Sequence, residues 1–402
     1  MFNSKRVRKL SKFFIVTKLI LKFQGLSAGA KIVWSILILL VLFLISFGIT
    51  LGVLKALGKS ISSPLSPLSN LKDTTSEKGG SGTNACPLNG LTFNDDQKEK
   101  WEKRRPLGVM VENHLDSRPQ SGVSRADVVY EAVAEGGITR FLAMYLCQDA
   151  GDITPIRSAR TYYVDWLSEY DALYSHVGGA NTDGPADALE QVRDYGIRDM
   201  DQFGLGFPTY WRGSDRFAPH NVHSTTEKLW EAAEKRNWGP QDEEGNRWDE
   251  NFVIWKFKDD APSESRGNPT KPLEVDFWEG PDDYDVTWKY DSTTNTYLRF
   301  HGQTAHVDAL TNEQIAPKVV VIQFQDESSA DDGYPGNVHL LYETIGSGSA
   351  LMFMDGKVIV GEWQKDSRTT RSKFLNESGD EIELNRGQIW IQIVPTGSKV
   401  TY

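Results

Sequence analysis

Pro106-Leu107-Gly108-Val109-Met110-Val111-Glu112 is a short apolar run that ends on a carboxylate. Two more runs follow closely, at residues 127–132 and 138–147. Each is too short for a stable helix and rich in β-branched or aromatic residues, so all three read as buried strands. Residues 172–177 give a fourth. Around them, residues 158–170, 185–195 and 225–238 carry helical spacing. Ser224 with Glu227 three positions on predicts a capping box for the last of these, and Asp183 before Pro185 predicts the start of the middle one. Residues 86–262 are therefore expected to form a mixed α/β domain.

Downstream the pattern changes. After a polar stretch at 263–280, taken as an interdomain loop, residues 281–402 alternate in short runs separated by turn signals such as Asp355-Gly356 and Ser378-Gly379-Asp380. D-G turns between alternating runs predict hairpins, hence a mainly antiparallel β second domain. The fold class expected is α+β.

Upstream, residues 55–85 are rich in Ser, Gly, Pro and Thr and read as a flexible linker. Residues 32–54 are uncharged and apolar, long enough at about 1.5 Å per residue to cross a hydrocarbon core of roughly 30 Å. Residues 1–31 are basic without one acid. This predicts an uncleaved N-terminal transmembrane helix with a cytoplasmic N-terminus and an extracytoplasmic body.

The chain has 402 residues and a net charge of −11. Residues 1–59 hold ten Lys/Arg and no acids, leaving 34 basic residues against 55 acidic ones. That balance argues against nucleic-acid binding by the outer part. The two cysteines, Cys86 and Cys147, both fall on the translocated side, where a bridge is permitted. Spacing alone does not bring two Cα atoms within bridging distance, so a free, buried Cys147 thiol is the favoured expectation. Neither cysteine lies in a lipobox.

Unusual polar residues concentrate between 155 and 221. Arg157, Ser158 and Arg160 stand at a predicted helix start, where guanidinium groups and free N–H groups together suit a phosphate or carboxylate. His176, Gly178 and Gly179 mark a strand–loop–helix junction open to a ligand. Arg212, His220 and Asn221 follow. The plain alternatives are a salt-bridge pair for the arginines and a structural role for His176. No metal is expected. His220-x-x-His223 lacks the further ligands of a zinc site, and Glu135 with Asp165 is a weak magnesium alternative. Glu135-Gly136-Gly137 reads first as a turn.

Arg105-Pro106-Leu107-Gly108-Val109-Met110-Val111-Glu112-Asn113-His114, then Glu135-Gly136-Gly137-Ile138-Thr139-Arg140-Phe141, His176-Val177-Gly178-Gly179, Pro219-His220-Asn221 and Gly387-Gln388-Ile389-Trp390-Ile391 resemble the YerB-like bacterial lipoprotein family (domain of unknown function DUF3048, N- and C-terminal parts). The resemblance implies a two-part extracytoplasmic protein and supplies no catalytic residue. A looser similarity, in the order of elements only, is to the LytR–CpsA–Psr enzymes. It implies magnesium-dependent phosphoryl or glycopolymer transfer. Three readings stand: a binder of an anionic cell-envelope ligand through the Arg/His cluster, with no cofactor and a β-rich domain open to a protein partner; a magnesium-dependent transferase; and a non-catalytic envelope scaffold.

Overall fold

A computed structural model describes Ser27 and residues 82–278, 282–332 and 338–402. Its centre is a ten-stranded mixed sheet. The strands used below are β1 (Leu107–Glu112), β2 (Val128–Glu135), β3 (Ile138–Tyr145), β4 (Leu173–His176), β5 (Arg198–Asp201), β6 (Leu273–Val275), β7 (Val286–Asp291), β8 (Thr296–His301), β9 (Thr304–Ala305), β10 (Val319–Gln325), β11 (Gly346–Met354), β12 (Lys357–Lys365), β13 (Lys373–Asn376), β14 (Ile389–Pro395) and β15 (Val400–Thr401). The large sheet runs β13-β12-β11-β10-β14-β2-β3-β1-β4-β5, and a five-stranded sheet runs β9-β8-β7-β6-β15.

The α+β expectation is corrected: the described residues are mainly β. The second half is not a mainly antiparallel unit of its own. Its strands β10 and β14 pair in parallel, and β14 pairs in parallel with β2, which places it at the middle of the shared sheet. The physical reason is burial. Ile389–Pro395 and Val319–Gln325 are buried along almost their whole length, as strands covered on both faces must be. The expected transmembrane helix at 32–54 lies outside the described residues. No helix among the described residues is long and apolar enough to cross a membrane.

Alternation along β2 explains the layering. Tyr130 points to α2 (Thr161–Leu167), stacking on Trp166 with ring centroids 5.8 Å apart. Glu131, one residue on, points the other way into the small sheet and bonds Arg299 of β8 at 2.7 Å. Trp288 of β7 donates to Gln392 of β14 at 2.8 Å and meets Trp390 edge-on. The small sheet thus packs on one face of the large sheet, and α2 packs on the other. The other helices needed here are α1 (Asp95–Glu102), α3 (Ala188–Asp194) and α4 (Thr226–Glu234). The cap of α4 is Thr225, whose hydroxyl accepts from Lys228 N; Ser224 instead donates to the Thr209 carbonyl. Asp187, not Asp183, caps α3. Asp355 and Gly356, both at positive φ, form the expected tight turn between β11 and β12.

The free-thiol expectation for Cys147 is also corrected. Cys86 and Cys147 are bridged, with Cα atoms 6.0 Å apart. Asp127 organises this corner. Its carboxylate accepts from the backbone of Leu146 and Cys147 and from the Asn89 side chain. Those bonds fix both chain segments side by side, information that cysteine spacing does not contain.

Candidate functional site

Strands β1, β2, β4 and β5 run in the same direction through the large sheet. Each ends on a polar residue: Glu112, Glu135, His176 and Asp201. Loops and helix starts leave the sheet along this edge, where a fold of this kind gathers side chains from distant positions.

Glu112 is the hub of the edge. Its buried carboxylate lies 3.0 Å from Arg157 Nε on one oxygen and 2.9 Å from His220 Nδ1 on the other. The His220 ring stacks on His114, with centroids 4.8 Å apart and planes 16° apart. The Arg157 side chain keeps 25% of its surface exposed. Arg118 stands at the same end of β1. Its Nε donates to Asn113 at 3.2 Å, its Nη1 donates to the Asp283 carbonyl at 2.9 Å, and it lies over the Tyr284 ring. Burial, and next the charge of Arg299, pull the Arg118 guanidinium down to about 10. A cation held by neutral acceptors beside another cation is electrostatically unsatisfied.

A second node lies at the β2–β3 turn. Gly136 and Gly137, both at positive φ, close it, so the turn expectation holds. Glu135 accepts from Arg140 on one oxygen and from Arg160 at 2.7 Å on the other. Burial pushes the Glu135 carboxyl up, but Arg140, Arg160 and Arg157 outweigh it and hold the group below its usual range. Across both nodes, three guanidinium groups share two carboxylates.

The remaining predicted residues sit apart from these nodes or shape them. His176 is fully buried; its Nδ1 faces the Gly178 carbonyl and its Nε2 faces Asp199, both at 2.9 Å, so it ties the loop to β5. Gly178 takes a φ of +58° and donates to Asp201. At Gly179 a Cβ would meet Leu189 at 2.9 Å. The Ser158 carbonyl accepts from Arg140. Arg212 donates to Asn221 at 2.9 Å, and Asn221 holds its own loop through Gly213 and Arg216. Glu135 and Asp165 are not brought together. Both Glu135 oxygens bond arginines, whereas Asp165 accepts from Gln191 and Thr344. His220 and His223 also separate, since His223 sits between Asp152 and Asp215.

Glu112, His114 and Arg118 were not singled out from sequence as site residues, whereas Arg140 stood out beside Glu135 in the polar segment between two strands. A carboxylate closing a buried strand, as Glu112 does, is the signal that points to the hub. Two clefts lie outside both nodes. One of about 620 Å³ is bordered by Tyr195, Trp248, Phe252 and Arg368; another of about 440 Å³ is bordered by Gln325, Glu343 and Trp363.

The family models "Protein of unknown function (DUF3048) N-terminal domain" and its C-terminal counterpart match residues 91–239 and 273–391. The chain is also 30% identical over 312 residues to "Putative lipoprotein YerB" of Bacillus subtilis (strain 168), covering 77% of this chain and 86% of that protein. The chain belongs to the YerB-like family. The crystal structure of YerB protein from Bacillus subtilis superposes with a TM-score of 0.67 at 26% identity, covering 80% of this chain and all of that one.

Proposed function

We propose that this chain is a membrane-anchored extracytoplasmic protein that binds an anionic group of the cell envelope at the strand-end edge. Two facts support the location: the buried Cys86–Cys147 bridge suits an oxidising compartment, and the Bacillus relative is named as a lipoprotein. The observation that carries the ligand reading is the surplus of guanidinium over carboxylate groups at Glu112 and Glu135, with Arg157 partly open to solvent. Arg157 and His220 would contact the anion, and Glu112 would hold both in place. Arg160, Arg140 and Arg118 would add field without leaving their present partners. His176, Gly178, Gly179, Arg212 and Asn221 would shape the surrounding loops.

The test uses poly(glycerol phosphate) as the probe. Binding to the purified chain should weaken steeply with salt, as a phosphate-contacting cluster requires. Arg157→Ala should lower affinity at least tenfold. Salt-independent binding, or an unaltered Arg157→Ala variant, would remove the proposal.

One observation favours the scaffold reading instead: Arg157, Arg160, His176 and His220 each already have a carboxylate partner. Under that reading Arg157→Ala costs stability and changes no binding.

A further inference from the structure

We infer that the cleft at the C-terminal end of β10 is a second binding site, one that takes an extended peptide carrying a basic side chain. The inference does not rest on the Glu112 and Glu135 nodes, although β10 ends along the same edge of the sheet, and starts from Gln325. This residue is 1% exposed and borders the cleft, yet among the described residues neither its Oε1 nor its Nε2 has a hydrogen-bond partner. A buried carboxamide with both ends unpaired is costly, and it presents one donor and one acceptor side by side. A peptide group is the chemical complement of that pair.

The strand ladder supplies a second reason. The antiparallel pairing of β10 with β11 runs from Val320↔Phe353 to Gln323↔Ala350 and stops there. Strand β11 continues back to Gly346, where among the described residues it has a ladder only on its β12 side. Phe324 and Gln325 meanwhile pair with β14. Gly346, Ser347, Gly348 and Ser349 therefore border the cleft with little side chain over their backbone. Alternate backbone groups of such a half-paired strand are available to an incoming chain.

Trp363 closes the floor. Its indole donates to the Phe324 carbonyl at 2.7 Å, crossing a position where a Cβ on Gly348 would meet it at 2.6 Å. The glycine is thus required for the aromatic surface to form. Asp326 and Glu343, both exposed, are the charged residues bordering the cleft. Two carboxylates and no cation among the described residues of the lining select a basic side chain.

The experiment is hydrogen–deuterium exchange on the full chain, read at residues 343–350. The probes are two capped hexapeptides, alternating Val-Lys and alternating Val-Glu, and a trimer of N-acetylglucosamine. The Val-Lys peptide should slow exchange of the Gly346 to Ser349 amides, and the other two probes should not. Gln325→Leu should weaken that protection at least tenfold while Tm holds or rises, because an unpaired buried amide is removed. The surface pair Asp326→Asn and Glu343→Gln, which leaves the core untouched, should weaken it several-fold. Protection by the Val-Glu peptide or by the sugar to the same degree would overturn the assignment. So would an absence of protection, or a Gln325→Leu variant that loses Tm but binds as before.

Discussion

Glu131 and Glu112 lie on neighbouring parts of one sheet and do opposite things. Glu131 is fully buried where the small sheet meets the large one. Arg299 and Thr139 donate to one of its oxygens, and Trp390 and Gln392 donate to the other. Arg299 is in turn packed against Phe141, Trp288 and Trp390, and donates to His306 at 2.7 Å. Burial, and next Arg299, hold His301 and His306 well below their ordinary range, so both stay neutral acceptors. Every partner of Glu131 is internal. Glu112 also holds an arginine and a histidine, but at an edge where Arg157 still meets solvent. A saturated interior pair fixes the packing of two sheets, whereas the edge pair leaves a guanidinium partly open to solvent, on which the proposed binding rests.

The largest effect should come from breaking the interior pair. Glu131→Gln leaves Arg299 as an uncompensated buried charge and should cost about 3–5 kcal/mol of unfolding free energy in denaturant titration. The double variant Glu131→Gln with Arg299→Met should recover much of that loss. A mild single variant would mean the network is not what joins the sheets.

Next in size is the bridge. Replacing Cys86 and Cys147 by Ser opens a loop of 61 residues, and the chain-entropy model places the cost at about 4 kcal/mol. Asp127→Asn tests the same corner from the other side. Burial pushes the Asp127 carboxyl up to about 6. The folded state thus favours the protonated form, and Asp127 penalises stability as pH rises from the unfolded value through 6. Asp127→Asn should flatten the pH dependence of Tm between about pH 4 and 6.

The smallest effect sharpens the edge. Burial pulls the His223 ring down, but Asp152 and Asp215 outweigh it and raise the group above its usual value. A raised histidine contributes fully below its unfolded value near 6.5 and loses that contribution as pH climbs through the folded value. Asp152→Asn, which leaves only Asp215 beside the ring, should reduce this fall in Tm above about pH 6.5, and the difference should stay within about 1 kcal/mol. An edge residue that shifted stability as far as Glu131 does would dissolve the contrast.

Local pattern made much of the fold legible. The runs at 106–112, 127–132, 138–147 and 172–177 match β1, β2, β3 and β4 closely, because a buried strand must be apolar throughout. The turns at Gly136-Gly137 and Asp355-Gly356 were legible because only certain residues accept positive φ. What pattern did not carry was partnership across the chain. That β14 would lie beside β2, more than 250 positions earlier in the chain, follows from tertiary packing. The same limit explains the site. Arg157 and His220 were legible as candidate contacts, but their shared carboxylate, Glu112, reads in sequence as the last residue of a strand. His176 read equally well as a ligand group or a tie, and the burial that decides between them is a property of the fold.

The proposed binding at the strand-end edge and the structural role of the sheet junction separate on a single variant. The direct measurement is calorimetric titration of poly(glycerol phosphate) into the Arg157→Ala variant, with Tm recorded on the same preparation. The account predicts at least a tenfold loss of affinity with Tm lowered by no more than a few degrees, as expected for a partly exposed ion pair. Unchanged affinity with a Tm lowered as far as in Glu131→Gln would contradict it.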